Sequence, residues 1–232
     1  MSVDQNLPEI INEAVQMHCV GPVGWVVLTR PGQINAINDS IRVGVPAALK
    51  RLENNDSIHV IVIRGEGERG LCAGADIKEK RGAETSIQVR KRMESSRWIE
   101  AVDEVSKPVI VAIHGYCMGG GLELALACDI RFASPNAVLA LPETGLGLIP
   151  GGGGTQRLSR VISPGHALDL LLTGERLDAE RALQIGLVSR VAKSTETLID
   201  EVSTLALQIA GKSPMASVFA KRAARAASEI DL

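Results

Sequence analysis

The stretch Lys107–Ser134, KPVIVAIHGYCMGGGLELALACDIRFAS, decides how this chain folds. Its first part, Pro108–Gly115 (PVIVAIHG), is a β-branched run bounded by Pro and Gly, as buried strands are. The segment GGGLELALACDI that follows is apolar on nearly every face and predicts a buried helix opening on Gly119, Gly120 and Gly121. IRFAS then reads as another strand. A strand, a glycine turn, a buried helix and a strand form the repeating unit of an α/β protein.

The same alternation extends in both directions. Toward the N-terminus, GWVVLT (Gly24–Thr29) and HVIVIR (His59–Arg64) predict strands. Between them, Asp39–Asn54 carries Ile41, Val45, Leu49 and Leu52 at helical spacing, although Gly44 and Pro46 weaken its first turns. Toward the C-terminus come a short strand AVLAL, a glycine-rich loop from Gly145 to Gly154, and a helical TQRLSRVISPGHALDLLLTG. DAERALQIG predicts a helix stopped at Gly186, LVSRVA a strand, and Thr195–Ala210 a final amphipathic helix. The expected organisation is a core over residues 1–193 and a helical region over 194–232.

Composition narrows the function. The 232 residues are 45% hydrophobic, enough for a sizeable core, and a formal charge of -2 provides no global field for nucleic acid or anionic lipid. Only Trp25, Trp98, Tyr116, Phe132 and Phe219 are aromatic, which argues against a base-stacking platform. Cys19, Cys72, Cys117 and Cys128 form no CxxC pattern, so neither a metal site nor a disulfide framework is expected, and a reducing cytosol fits. Asp4, Glu9 and Glu13 near the N-terminus do not suit a presequence, and the uncharged run Pro108–Leu122 is too short and Gly-rich to span a bilayer. These features predict a cytoplasmic protein without a membrane partner.

Several motifs fail on mechanism. GEGERG (Gly65–Gly70) matches a dinucleotide fingerprint, but no helical period begins on its glycines, so it predicts a surface turn. AGKS (Ala210–Ser213) lacks the leading glycine of a phosphate loop, has Pro214 behind it, and reads as a helix end. His18, His59, His114 and His166 have no triad or metal companions, and His114 at a strand end is expected to be structural.

The chemistry lies elsewhere. A helix opening on Gly119–Gly121 presents free backbone N–H groups and the positive end of its dipole, a place for a developing oxyanion. A second turn, LCAGADIKEK, leads through Ala73-Gly74-Ala75 into Asp76, with Glu79 completing a pattern resembling a capping box. The amides of Ala75 and Gly120 would face each other if the strands before them are neighbours. Glu123, inside the apolar helix, and Glu143, in LPETGLG, are carboxylates whose burial would raise their pKa values toward a range useful for proton transfer. Each alone reads as an ordinary helix-terminal or loop charge. With the two glycine turns they form an acid/base pair beside an oxyanion hole.

On these residues the chain resembles the crotonase superfamily, most closely its enoyl-CoA hydratases. The matching stretches are RPGQINAIN (Arg30–Asn38), GLCAGADIKE (Gly70–Glu79), Lys107–Ser134, LPETGLGLIPGGGGTQRLSR (Leu141–Arg160) and TGERLDAERALQIGLVSRV (Thr173–Val191). The resemblance implies a superhelix of ββα units followed by helices, assembled as trimers and commonly as dimers of trimers. It implies that Ala75 and Gly120 bind a thioester carbonyl and that Glu123 and Glu143 are the two hydratase glutamates, holding a water between them. That water would add to the β-carbon of a 2-enoyl-CoA. The CoA portion would meet Ala36, Ala73, Gly74, Ala75, Asp76, Ile77 and Gly120, with Lys78 as a candidate phosphate partner. CoA enters as substrate, and no separate cofactor is implied.

Three features depart from the family pattern: Gly32-Gln33, the pair Gly44 and Pro46, and an end at Leu232 before the family's last helices. Lys221, Arg222 and Arg225 form a basic stripe read as a solvated face, with a CoA phosphate as the alternative. A 3,2-enoyl-CoA isomerase is the nearest enzymatic rival. An RNA-binding face at Arg90, Lys91, Arg92 and Arg97 is a remote one, with interspersed Glu94 and Glu100 favouring an ordinary solvated helix.

Overall fold

The computed structural model describes residues 8–79, 85, 87 and 97–227. Its centre is a seven-stranded sheet whose parallel part joins the β-branched runs β3 (Val23–Leu28), β4 (Val60–Gly65) and β5 (Val109–Ile113) to the short strands β7 (Ile130–Ala133) and β10 (Arg190–Val191). Strands buried on both faces read as continuous apolar sequence, which is why β3, β4 and β5 were legible, whereas β10 is a two-residue strand with Arg190 exposed. Two further strands, β1 (Glu9–Asn12) and β2 (Val15–Val20), extend the sheet antiparallel beyond β3. Their mixed, partly exposed sequence carries no such run, and the sequence reading did not find them.

A second sheet of β6 (Tyr116–Met118), β8 (Val138–Ala140) and β9 (Leu177–Asp178) stands beside the first. Single bridges add Cys72 to Cys117 and Ala75 to Ile37, so the turn that follows Gly70 joins this layer. The larger hydrophobic core fills the space among the sheets and helices, and a smaller cluster covers the opposite face of the main sheet.

Helix α1 (Asp39–Glu53) runs uninterrupted through Pro46. The Asn38 side chain accepts from the Ile41 amide and caps its start. Gly44 is there for packing, since a Cβ would stand 2.7 Å from Val15 Cγ2 on β2. Short α2 (Glu100–Asp103) and the apolar α3 (Gly120–Ala127) follow, α3 opening on Gly119 at φ +52°. The stretch read as one helix after the glycine loop is two, α4 (Gly154–Val161) and α5 (Pro164–Thr173). Pro164 starts the second and Ser163 caps it.

Helix α6 (Ala179–Gln184) precedes β10, and α7 (Leu198–Ala210) lies across β3, β4, β5 and β7, supplying Leu198, Val202, Leu205 and Ala206 to the smaller core. Ala210 ends α7 and Ser213 caps α8 (Pro214–Ala226), so AGKS is a helix junction. Of the basic stripe on α8, Arg222 is exposed as expected, but Lys221 and Arg225 are not a solvated face. Lys221 pairs with Asp129 at 2.8 Å, and Arg225 reaches Asp129 and the Ala127 carbonyl, because two carboxyl-side groups at the end of α3 face it.

GEGERG forms a surface turn whose Gly70 bridges Gly115, and His114 Nε2 bonds the Gly67 carbonyl at 2.8 Å. No helix among the described residues is long and apolar enough to cross a membrane.

Candidate active site

Two backbone segments lie against each other at the heart of the site. Cys72 donates its amide to the Tyr116 carbonyl and accepts from the Met118 amide, which binds the turn after Gly70 to β6. The approach is close enough to require glycine. A Cβ at Gly121 would lie 2.6 Å from the Cys72 carbonyl oxygen, and one at Gly74, whose φ is +90°, would lie 3.0 Å from that of Met118. Ile37 links the two turns: it is bridged to Ala75, and its Cδ1 would stand 2.7 Å from a Cβ at Gly120. The sequence-predicted amides of Ala75 and Gly120 therefore sit on adjoining turns, and among the described residues neither donates to a protein acceptor.

The turn that carries Ala75 is braced from outside. Asp76 pairs with Arg30 at 2.8 Å, which holds its carboxyl below the usual carboxylate range, and Arg30 also grips the Ala36 carbonyl. Asn35, buried and at φ +51°, donates from its side chain to the Glu66 and Gly70 carbonyls. The capping-box expectation at Asp76 is not met, because Glu79 accepts from the Asp39 amide and pairs with Arg42, serving α1. Residues 76–79 form a turn, with the Lys78 amide on Asp76 Oδ1. Of the residues expected near CoA, Ala36 and Gly74 are buried, whereas Ala73, Ala75, Ile77 and Lys78 are exposed.

Both glutamates reach the same glycine turn. Glu123, in the first turn of α3, is buried, and its Oε1 accepts from the amides of Gly152 and Gly154 at 2.6 and 2.9 Å. Its Oε2 would lie 3.9 Å from a Cβ on Gly120. Glu143 begins a 3-10 turn at Pro142, and its Oε1 would lie 3.0 Å from a Cβ on Gly119. Its Oε2 is buried without a hydrogen-bond partner, an arrangement that asks for a role. Burial pushes both carboxyls up, and for Glu143 the neighbouring Glu123 charge adds to the effect. The two amides on Glu123 oppose its upward shift by favouring the ionised form.

The sequence reading singled out neither Gly152 and Gly154 nor the Arg157 side chain behind them as part of the site. The run Gly151–Gly154 was visible as a glycine-rich loop, but only the fold brings it over Glu123. Arg90, Lys91, Arg92 and Glu94, considered for RNA, lie outside the described residues, while Arg97 stands exposed 3.8 Å from Glu100.

A seven-stranded mixed sheet flanked by a second small sheet, with paired carboxylates over a glycine turn, defines an α/β enzyme of the crotonase type. Residues 21–232 match the family model described as enoyl-CoA hydratase/isomerase, and the chain belongs to that family. The chain is 37% identical over 213 residues to a short-chain enoyl-CoA hydratase of Clostridium acetobutylicum, covering 91% of this chain and 81% of the relative. It is 40% identical over 210 residues to the mitochondrial enoyl-CoA hydratase of Pongo abelii, covering 90% and 71%. A solved enoyl-CoA hydratase of Bacillus anthracis superposes with a TM-score of 0.88 at 36% identity, over 94% of this chain and 84% of that one.

Proposed function

We propose that this protein is a hydro-lyase that adds water across the double bond of a 2-trans-enoyl-CoA to give a 3-hydroxyacyl-CoA. The observation that carries the reading is the pair of carboxylates on one glycine turn, Glu123 held by two amides and Glu143 with a buried, unpartnered oxygen.

In this reading the thioester carbonyl accepts from the Ala75 and Gly120 amides. Donors aimed at an oxygen that gains charge stabilise the transition state more than the ground state, each by about 3 kcal/mol. Ionised Glu123 takes a proton from water as its oxygen attacks C3. Protonated Glu143 delivers its proton to C2, and proton exchange between the carboxyls and solvent restores the pair. The turn from Ala73 to Lys78, exposed at Ala73, Ala75, Ile77 and Lys78, receives the CoA portion.

In this reading the CoA thioester is substrate, and the two carboxyls with the Ala75 and Gly120 amides supply the acid, base and oxyanion stabilisation without a separate cofactor. Assembly as a homotrimer or a dimer of trimers, work in fatty-acid metabolism and a cytoplasmic location belong to the same proposal.

The test follows the loss of conjugated enoyl-thioester absorbance with crotonyl-CoA. Glu123→Gln and Glu143→Gln are each expected to lower kcat by two or more orders of magnitude, in line with about 10²–10⁴-fold for a positioned acid or base, with the fold intact by circular dichroism. Near-parental turnover in both variants refutes the assignment. Conversion of a 3-enoyl-CoA without hydration of crotonyl-CoA points instead to an isomerase.

A further inference from the structure

Glu123 does not hold itself in place; the two amides that fix it belong to a loop with little support of its own. Gly153 at φ +89° gives the loop a left-handed turn, and no side chain of residues 151–154 anchors it. The anchor comes from Arg157, half-buried in the first turn of α4. Its Nη1 donates to the Gly152 carbonyl at 2.6 Å, and its Nη2 donates to Asp103 Oδ2 on α2 at 2.5 Å. The same guanidinium would lie 2.2 Å from a Cβ at Gly153, so it rests directly on the loop.

We propose that Arg157 is a positioning residue for Glu123: it grips the oxygen of the residue whose N–H grips the carboxylate. A planar, always-charged fork is suited to this, since one group spans the loop carbonyl and the fixed Asp103 carboxylate at once. Arg225 of α8 also bonds Asp103, which ties the anchor to the C-terminal helix. This inference rests on the hydratase reading of Glu123.

The charged groups acting on Glu123 are Arg157 from α4 and Glu100 from α2, while Glu143 of the 3-10 turn is itself raised by the Glu123 charge. Among them only Arg157 favours the ionised carboxylate. Its loss therefore has two consequences, a displaced base and a base that ionises at higher pH.

The experiment compares the parent, Arg157→Met and Arg157→Lys in crotonyl-CoA hydration and in the titration of the Glu123 carboxyl. That titration is read by infrared difference against Glu123→Gln. Arg157→Met is expected to lower kcat about 10–100-fold, the scale of a catalytic group misplaced by about 1 Å, with KM within about twofold of the parent. The Glu123 titration shifts upward. Arg157→Lys, which keeps the charge and loses the fork, restores most of the titration and only part of kcat.

A purely structural ion pair would change the thermal midpoint and leave both readouts alone. Parental kcat and an unmoved titration in both variants overturn the proposal. Failure of the parent to hydrate both crotonyl-CoA and longer 2-trans-enoyl-CoA thioesters overturns the hydratase reading by itself. The titration shift then still decides whether Arg157 governs Glu123.

Discussion

At the scale of single residues, the site places two identical side chains in different surroundings. Glu123 accepts two amide hydrogen bonds in an apolar helix, whereas Glu143 has a buried oxygen with no partner. The consequence for stability has a definite sign. A carboxyl whose folded pKa is raised above its ordinary 4.5 contributes stability that is fully present below that value, and the contribution is lost as pH rises through the folded pKa. Above that value the parent therefore carries the cost of holding the Glu143 carboxyl in a buried site. Glu143→Gln is expected to melt at or above the parental temperature at pH 8, with its advantage shrinking as pH falls toward 4.5. Parallel melting curves for the two proteins across that range would show that Glu143 is not desolvated.

At the scale of elements, glycines appear where backbones cross, and each crossing fixes part of the site. Gly44 is the clearest test, because it lies inside a regular helix where alanine is normally the better residue by about 1 kcal/mol. A Cβ there would stand 2.7 Å from both Val15 Cγ2 and Asn12 Nδ2, and overpacking of this kind costs about 1–3 kcal/mol. Gly44→Ala is thus expected to lower the urea midpoint with an unchanged m-value, despite its gain in helix propensity. The same reasoning explains the glycine turns of the site. Gly74 and Gly121 let the Ala75 turn and the start of α3 run side by side, and a methyl group at either would push them apart.

At the scale of the whole molecule, α7 belongs to the core. It covers one face of the parallel strands, and Leu198, 1% exposed, anchors its first turn against them. Leu198→Ala is expected to cost about 2–5 kcal/mol, the usual range for removing a buried leucine, and to do so within a single unfolding transition seen by both circular dichroism and tryptophan fluorescence. Two separated transitions would mean that the C-terminal helices form a unit of their own. The ion pairs from α8 to Asp129 and Asp103 extend the same continuity to α2 and, through Arg157, to the glycine loop.

What the sequence determined by itself was the alternation of strand and helix and the identity of the chemically unusual residues. Buried parallel strands must be apolar throughout, and a glutamate in an apolar helix stands out against its neighbours. The edge strands β1 and β2 escaped notice because a half-exposed strand has no such signature, and the Asp76–Glu79 pattern misled because Glu79 finds a better partner in the amide of Asp39, distant in sequence. Lys221 and Arg225 of the basic stripe on α8 were misread for the same reason, their partner Asp129 being far away along the chain. Only the tertiary structure decided that Glu123 and Glu143 share one turn, that Gly152 and Gly154 hold the first, and that Arg157 holds them. Those relations depend on contacts between distant segments, which residue type and local spacing do not encode.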